Sequence, residues 1–140
     1  MILFIRQNSE GSVLFIDNYR QKASKPSISI IKLLCEKALC SYESRVTSTK
    51  SMFKLYARVP IYIHQELLLF PTKSPRTYEN IWVNYCSIFT YEKRGNQVLV
   101  FFKNNVSELI DITYKQFKQS MSVCQKIFNH TKHLEDSLYF

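Results

Sequence analysis

Two glycines are all that this sequence has, in 140 residues. A Gly-rich phosphate loop or a Gly-x-Ser-x-Gly nucleophile elbow needs backbone positions that only glycine fills, so both are excluded. Four prolines with those two glycines leave no flexible linker, and there are no repeats or low-complexity tracts. The chain is therefore expected to be one domain over residues 1–140. Its eleven acids are scattered, with Glu135-Asp136 the one adjacent pair, so no paired-carboxylate site stands out. No apolar run approaches the ~20 residues of a membrane span. The opening "MILFIRQNSEG" is too short for a signal-peptide core and lacks the basic and small-residue flanks, which leads to the expectation of a cytoplasmic protein.

The four cysteines, Cys35, Cys40, Cys86 and Cys124, sit in apolar, periodic stretches. They read as reduced core thiols, as in a protein kept from oxidation. His130 and His133 read as surface histidines of a predicted last helix rather than metal ligands. A nucleophile pairing Cys35 or Cys86 with His64 has no support in the surrounding sequence. Neither catalysis, metal nor cofactor is expected.

What the chain does have is positive charge. Nineteen Lys and Arg against eleven Asp and Glu give a net charge of +8 and a pI near 9.4. That balance favours an anionic partner, nucleic acid or an acidic membrane surface. Between Ser44 and Tyr78 stand Arg45, Lys50, Lys54, Arg58, Lys73 and Arg76, with Glu66 the one acid. Between Thr113 and Leu134 stand Lys115, Lys118, Lys126 and Lys132 with none. Each alone is an ordinary solvated residue; clustered, they would neutralise phosphates and release their counterions. Tyr56, Tyr78 and Tyr85 interleave with them.

Hydrophobic periodicity supplies the elements. "MILFIRQNSEGSVLFID" reads as a hairpin around an Asn/Ser/Gly turn. Ile28, Ile31, Cys35, Ala38, Leu39 and Tyr42 recur at helical spacing and predict a helix over 27–40. Residues 52–59 alternate, with Phe53, Leu55, Ala57 and Val59 on one side and Lys54, Tyr56 and Arg58 on the other, which predicts a strand with a cationic wet face. Further strands are expected at 61–70 and 81–89, then a hairpin turning at Asn104-Asn105, where asparagine tolerates positive φ. Thr113, with Gln116 three residues on, caps a predicted helix to about residue 133. Trp82, Phe70 and Phe117 read as core. Without βαβ alternation, the expected class is α+β, a mostly antiparallel sheet with two helices on one face.

The stretch "LLLFPTKSPRTYENIWVNY" at 67–85 ends an apolar strand at Phe70-Pro71, carries Lys73 and Arg76 on a Pro71- and Pro75-bounded loop, and resumes at Trp82. In this it resembles the ComK family of competence transcription factors, whose members have an apolar run ending Phe-Pro-Thr, a Ser-containing loop and a Trp-Ile or Trp-Val strand. "CEKALCSYESR" is similar to the family's Cys to Ser-x-x-Gly-Arg segment at Cys35, Ser41, Tyr42 and Arg45, with Ser44 in the glycine position. "FKNNVSELIDITYKQF" resembles its hairpin, Ile-Ser/Thr-Tyr and helix start, with Asn104-Asn105 for Asn-Gly. The resemblance is clearest over 25–128.

The resemblance implies a regulator that binds double-stranded DNA at paired AT-rich boxes, largely through the minor groove, and activates DNA-uptake genes as a homo-oligomer at the nucleoid. A narrow A-tract groove attracts inserted Arg or Lys, so Arg45, Lys73 and Arg76 are the expected groove residues. Lys54, Arg58, Lys115 and Lys118 are the expected phosphate contacts. Family members carry a C-terminal tail linked to oligomerisation and proteolysis, and "HLEDSLYF" has no counterpart of it. The alternative expectation is therefore a non-activating interaction protein that pairs with a full-length relative or a protease adaptor, through an exposed apolar patch around Leu138–Phe140.

Overall fold

The computed structural model describes residues 1–74 and 77–134. The first hairpin forms as expected: β1 (Ile2–Asn8) pairs antiparallel with β2 (Gly11–Ile16). Gly11 sits at φ +135°, and a Cβ there would lie 2.1 Å from the Ala23 carbonyl oxygen, so no other residue fits. The chain turns again into β3 (Tyr19–Ala23), an edge strand with four of its five residues exposed and no apolar run to announce it. The expected first helix follows as α1 (Ser27–Lys37), with Ile30, Ile31 and Cys35 buried.

At 52–59 the structure corrects the sequence reading. The chain forms a helix, α2 (Tyr42–Phe53), and then an irregular segment, so Lys54, Tyr56 and Arg58 share no strand face. Lys54 is the helix C-cap at φ 55°, and Arg58 is likewise left-handed at φ 50°. The alternation of Phe53, Leu55, Ala57 and Val59 is a last helical turn followed by loop. Ser41 starts the helix, its hydroxyl accepting the Ser44 N–H at 3.1 Å. The helix lies along β4 (Ile61–His64), the other edge of the sheet, and covers it. Tyr42 and Val46 pack into the core on one side of that sheet and Phe53 into the core on the other.

The two remaining expected strands each break. Residues 61–70 divide at Gln65-Glu66 into β4 and β5 (Leu67–Pro71), where the His64 ring accepts the Glu66 N–H at 3.1 Å. Residues 81–89 divide into β6 (Ile81–Asn84), a single 3-10 turn at Tyr85–Ser87, and β7 (Ile88–Arg94). That turn carries the chain from one sheet to another. The six-stranded sheet runs β3-β2-β1-β6-β5-β4. The three-stranded sheet runs β7-β8-β9, with β8 (Gln97–Phe102) and β9 (Ser107–Ile110) forming the hairpin expected at Asn104-Asn105. Asn105 takes φ 70° there. The last helix, α3 (Tyr114–Lys132), begins at Thr113, whose hydroxyl accepts the Gln116 N–H at 3.2 Å.

All strand pairs are antiparallel, and the fold is the single-domain α+β class that the sequence implied, with a third helix added. The helices divide between the faces of the large sheet instead of sharing one. Strand β5 shows why, because it is buried on both sides. Leu67 and Leu69 face a core with Trp82, Ile61 and the α1 residues Ile30, Ile31 and Cys35. Leu68 and Phe70 face a second core with Val83, the β8 residues Val98, Val100 and Phe102, and Phe117, Cys124 and Ile127 of α3. Burying each such side chain stabilises by roughly 1.5–3 kcal/mol. Trp82, Phe70 and Phe117 are core as expected, at 1%, 0% and 0% exposure.

Candidate nucleic-acid interface

The loop between β5 and β6 is braced at its base. Thr72 N–H donates to the Ile81 carbonyl at 2.9 Å, continuing the strand pairing by one bond. Asn80, buried at 2% exposure, accepts the Lys73 N–H at 3.0 Å and donates to the Ser74 carbonyl at 3.3 Å. From outside, Gln7 of β1 donates to the Tyr78 carbonyl at 3.0 Å. The base of the loop is thereby pre-organised, so less ordering entropy is lost when those residues meet a partner.

On one flank the loop reaches α3. The Lys73 ammonium pairs with Asp111 at 3.2 Å, two residues before the Thr113 cap, and the Phe70 and Phe117 rings meet edge to face at 5.5 Å. Lys115 and Lys118 follow on the exposed side of the first turns, and neither has an ion-pair partner among the described residues. The first turn holds no acid. Cations near a helix N-terminus oppose its dipole, so the fold gains nothing from Lys115 there.

On the other flank, Ser74 shares a groove of about 570 Å³ with Tyr42, Val46 and Lys50 of α2 and with Tyr56, Ala57, Arg58 and Val59. Lys50, Lys54 and Arg58 have no ion-pair partner among the described residues. The loop thus stands between two groups of unpaired cations.

The ComK protein family model matches residues 3–133. The chain belongs to the ComK protein family. No curated protein and no solved structure matches it. The ComK family is one of competence-related transcription factors that bind DNA, and not one of enzymes. The match begins well before and ends beyond the stretch where the resemblance was clearest, and so takes in β1 to β3 and all of α3.

In this ComK-family chain the expected site residues do not all come together. Lys73, Lys115 and Lys118 lie around the loop and the start of α3, and Arg58 lies in the groove beside Ser74. Lys54 is exposed at the end of α2. Arg45 is half-buried against the sheet: its guanidinium lies 5.5 Å over the Tyr62 ring, and its Nε is buried with no hydrogen-bond partner among the described residues. Arg76 and Pro75 lie outside the described residues, as do Glu135-Asp136 and the Leu138–Phe140 patch. Of the interleaved tyrosines, Tyr56 is 93% and Tyr78 53% exposed, while Tyr85 packs against Phe128 at 6.0 Å.

Sequence reasoning missed Asn80, which builds the loop, and Lys50 as a groove residue. The first has no local signal, since its side-chain partners are six to eight residues away; the i, i+4, i+8 spacing of Tyr42, Val46 and Lys50 would have shown the second once α2 was recognised.

The remaining chemistry is quiet. Burial, and after it the neighbouring Cys40, pushes the Cys35 thiol up to about 12, and burial also raises Cys86 and Cys124. Thiols held neutral are poor nucleophiles. His64 is occupied by the Glu66 N–H, and His130 packs edge-on against Phe53 at 5.8 Å. Among the described residues no helix is long and apolar enough to cross a membrane.

Proposed function

We propose that the chain is a sequence-preferring transcriptional regulator that reads AT-rich duplex DNA through the minor groove. The β5–β6 loop is its reading element. The observation that carries this reading is that the braced base of the loop has Arg58, without an ion-pair partner among the described residues, on one side and Lys115 and Lys118, likewise unpaired, on the other. Strands of phosphate flank a minor groove on both sides, and this arrangement matches that pattern: central side chains for the groove and lateral lysines for the backbone. Lys73 acts at the loop's edge, and Arg76 is assigned to the same role on the strength of the sequence alone. Arg45 holds α2 on β4 through Tyr62 instead of entering a groove.

Fluorescence anisotropy with a duplex carrying paired AT-rich boxes and a GC-rich control, each at several salt concentrations, tests the reading. Wild-type protein prefers the AT duplex. Lys115→Ala with Lys118→Ala weakens both duplexes alike and flattens the log K against log salt slope by about 0.9 per phosphate contact. Arg76→Ala removes the AT preference. An unchanged preference in that variant sinks the loop as the reading element.

A further inference from the structure

The groove beside the loop has features that contact with duplex DNA leaves unexplained. Its wall joins three kinds of group: an apolar floor from Tyr42 and Val46 of α2, the cations Lys50 and Arg58, and the phenol of Tyr56. No acid lines it. At about 570 Å³ it falls within the ~300–1,000 Å³ of small-ligand sites. Tyr56 is 93% exposed and, among the described residues, meets no other ring and no cation. Arg58, two residues later, is held at φ 50°, a conformation that a non-glycine residue adopts only where the surrounding structure sustains it.

We infer that this groove is a nucleotide site, in which an unpaired base stacks on Tyr56 and its phosphate is held by Lys50 and Arg58. A free aromatic face beside two unpaired cations is the arrangement by which single-stranded nucleic acid is bound, a π-surface for the base and positive charge for the backbone. Duplex DNA keeps its bases stacked inside and offers Tyr56 nothing comparable. The inference goes beyond the duplex-reading loop and shares only Arg58 with it. Two sources supply this chemistry, an unpaired nucleotide within a DNA strand and a free mononucleotide.

Short fluorescein-labelled oligo(dT), adenosine monophosphate by calorimetry, and the AT-box duplex serve as probes for wild type, Tyr56→Ala, Tyr56→Phe and Lys50→Ala. Tyr56 is so exposed that its truncation leaves the fold intact. Tyr56→Ala is expected to weaken oligo(dT) binding by about 5- to 150-fold, the equivalent of ~1–3 kcal/mol of stacking per base. Tyr56→Phe retains the ring and the binding, Lys50→Ala weakens it, and duplex affinity stays unchanged in Tyr56→Ala. Binding of oligo(dT) without the mononucleotide identifies the strand as the source, and binding of the mononucleotide identifies the free ligand. Three results overturn the site: neither probe binds at millimolar concentration, Tyr56→Ala leaves binding intact, or it weakens duplex and single strand equally. Failure of the duplex reading shows separately, as an absent AT preference with these probes still bound.

Discussion

The side-chain amide of Asn84 meets four backbone groups at once. Its oxygen accepts the Leu68 and Cys86 N–H groups at 3.1 Å each, and its nitrogen donates to the Ile2 and Glu66 carbonyls at 2.7 and 3.0 Å. The residue is fully buried, and it stands where the chain leaves the large sheet for the small one. Removing the amide leaves buried donors and acceptors without partners, each at a cost of ~1–3 kcal/mol. Asn84→Ala is therefore expected to destabilise by roughly 2–4 kcal/mol, read as a lower urea midpoint at unchanged slope. A second residue-scale consequence concerns Asp111, whose carboxylate neutralises Lys73 from a 71%-exposed position. Such a surface pair adds only ~0–1 kcal/mol to the fold. On the proposed interface, Asp111→Asn frees the lysine and raises duplex affinity by about two- to fivefold. Equal affinity in that variant would place Lys73 away from the DNA.

At the scale of elements, the end of α2 joins stability to charge. Lys54 caps the helix in the left-handed region, where glycine carries no Cβ penalty. Lys54→Gly should stabilise the protein by up to ~1 kcal/mol in thermal unfolding while weakening duplex binding on every sequence alike. A variant changed in neither respect would remove Lys54 from both accounts. The same helix shows where the sequence stopped being legible. α1, with its dense apolar periodicity, and α3, which adds a capping threonine, were readable, as was the hairpin with its positive-φ asparagine. α2 was not, because it covers a sheet edge and does not cross a core, and so presents few apolar side chains to its neighbours, chiefly Tyr42, Val46 and Phe53, beside the polar Thr49 and Arg45. Strand β3 carries no apolar run, and the breaks at Gln65-Glu66 and Tyr85–Ser87 depend on side-chain bonds from His64 and Asn84 that periodicity does not encode. Of the candidate site, the loop and the α3 lysines could be placed from sequence. The groove could not, since it needs α2 to bring Lys50 beside Arg58 and Ser74.

For the molecule as a whole, burial sets the behaviour in alkali. In the unfolded chain a thiol ionises near 9.0; in the fold Cys35 holds its proton up to about 12, and Cys86 and Cys124 are raised in the same direction. The folded state thus binds more protons than the unfolded one above pH 9.0, and stability falls as pH rises. The melting temperature should be level up to that point and decline towards pH 12, with a shallower decline in Cys35→Ala. A melting temperature that stays level across this range would contradict the burial of the thiols.

The exposed outer strand of the large sheet has a further consequence. β3 presents Tyr19, Arg20, Gln21 and Lys22 to solvent along an open row of backbone donors and acceptors. Such a row invites another β-strand to add to it, and from there to amyloid-like stacking. Arg20 and Lys22 set a repelling charge on that border, so copies at high concentration stay dispersed and do not fuse sheet to sheet.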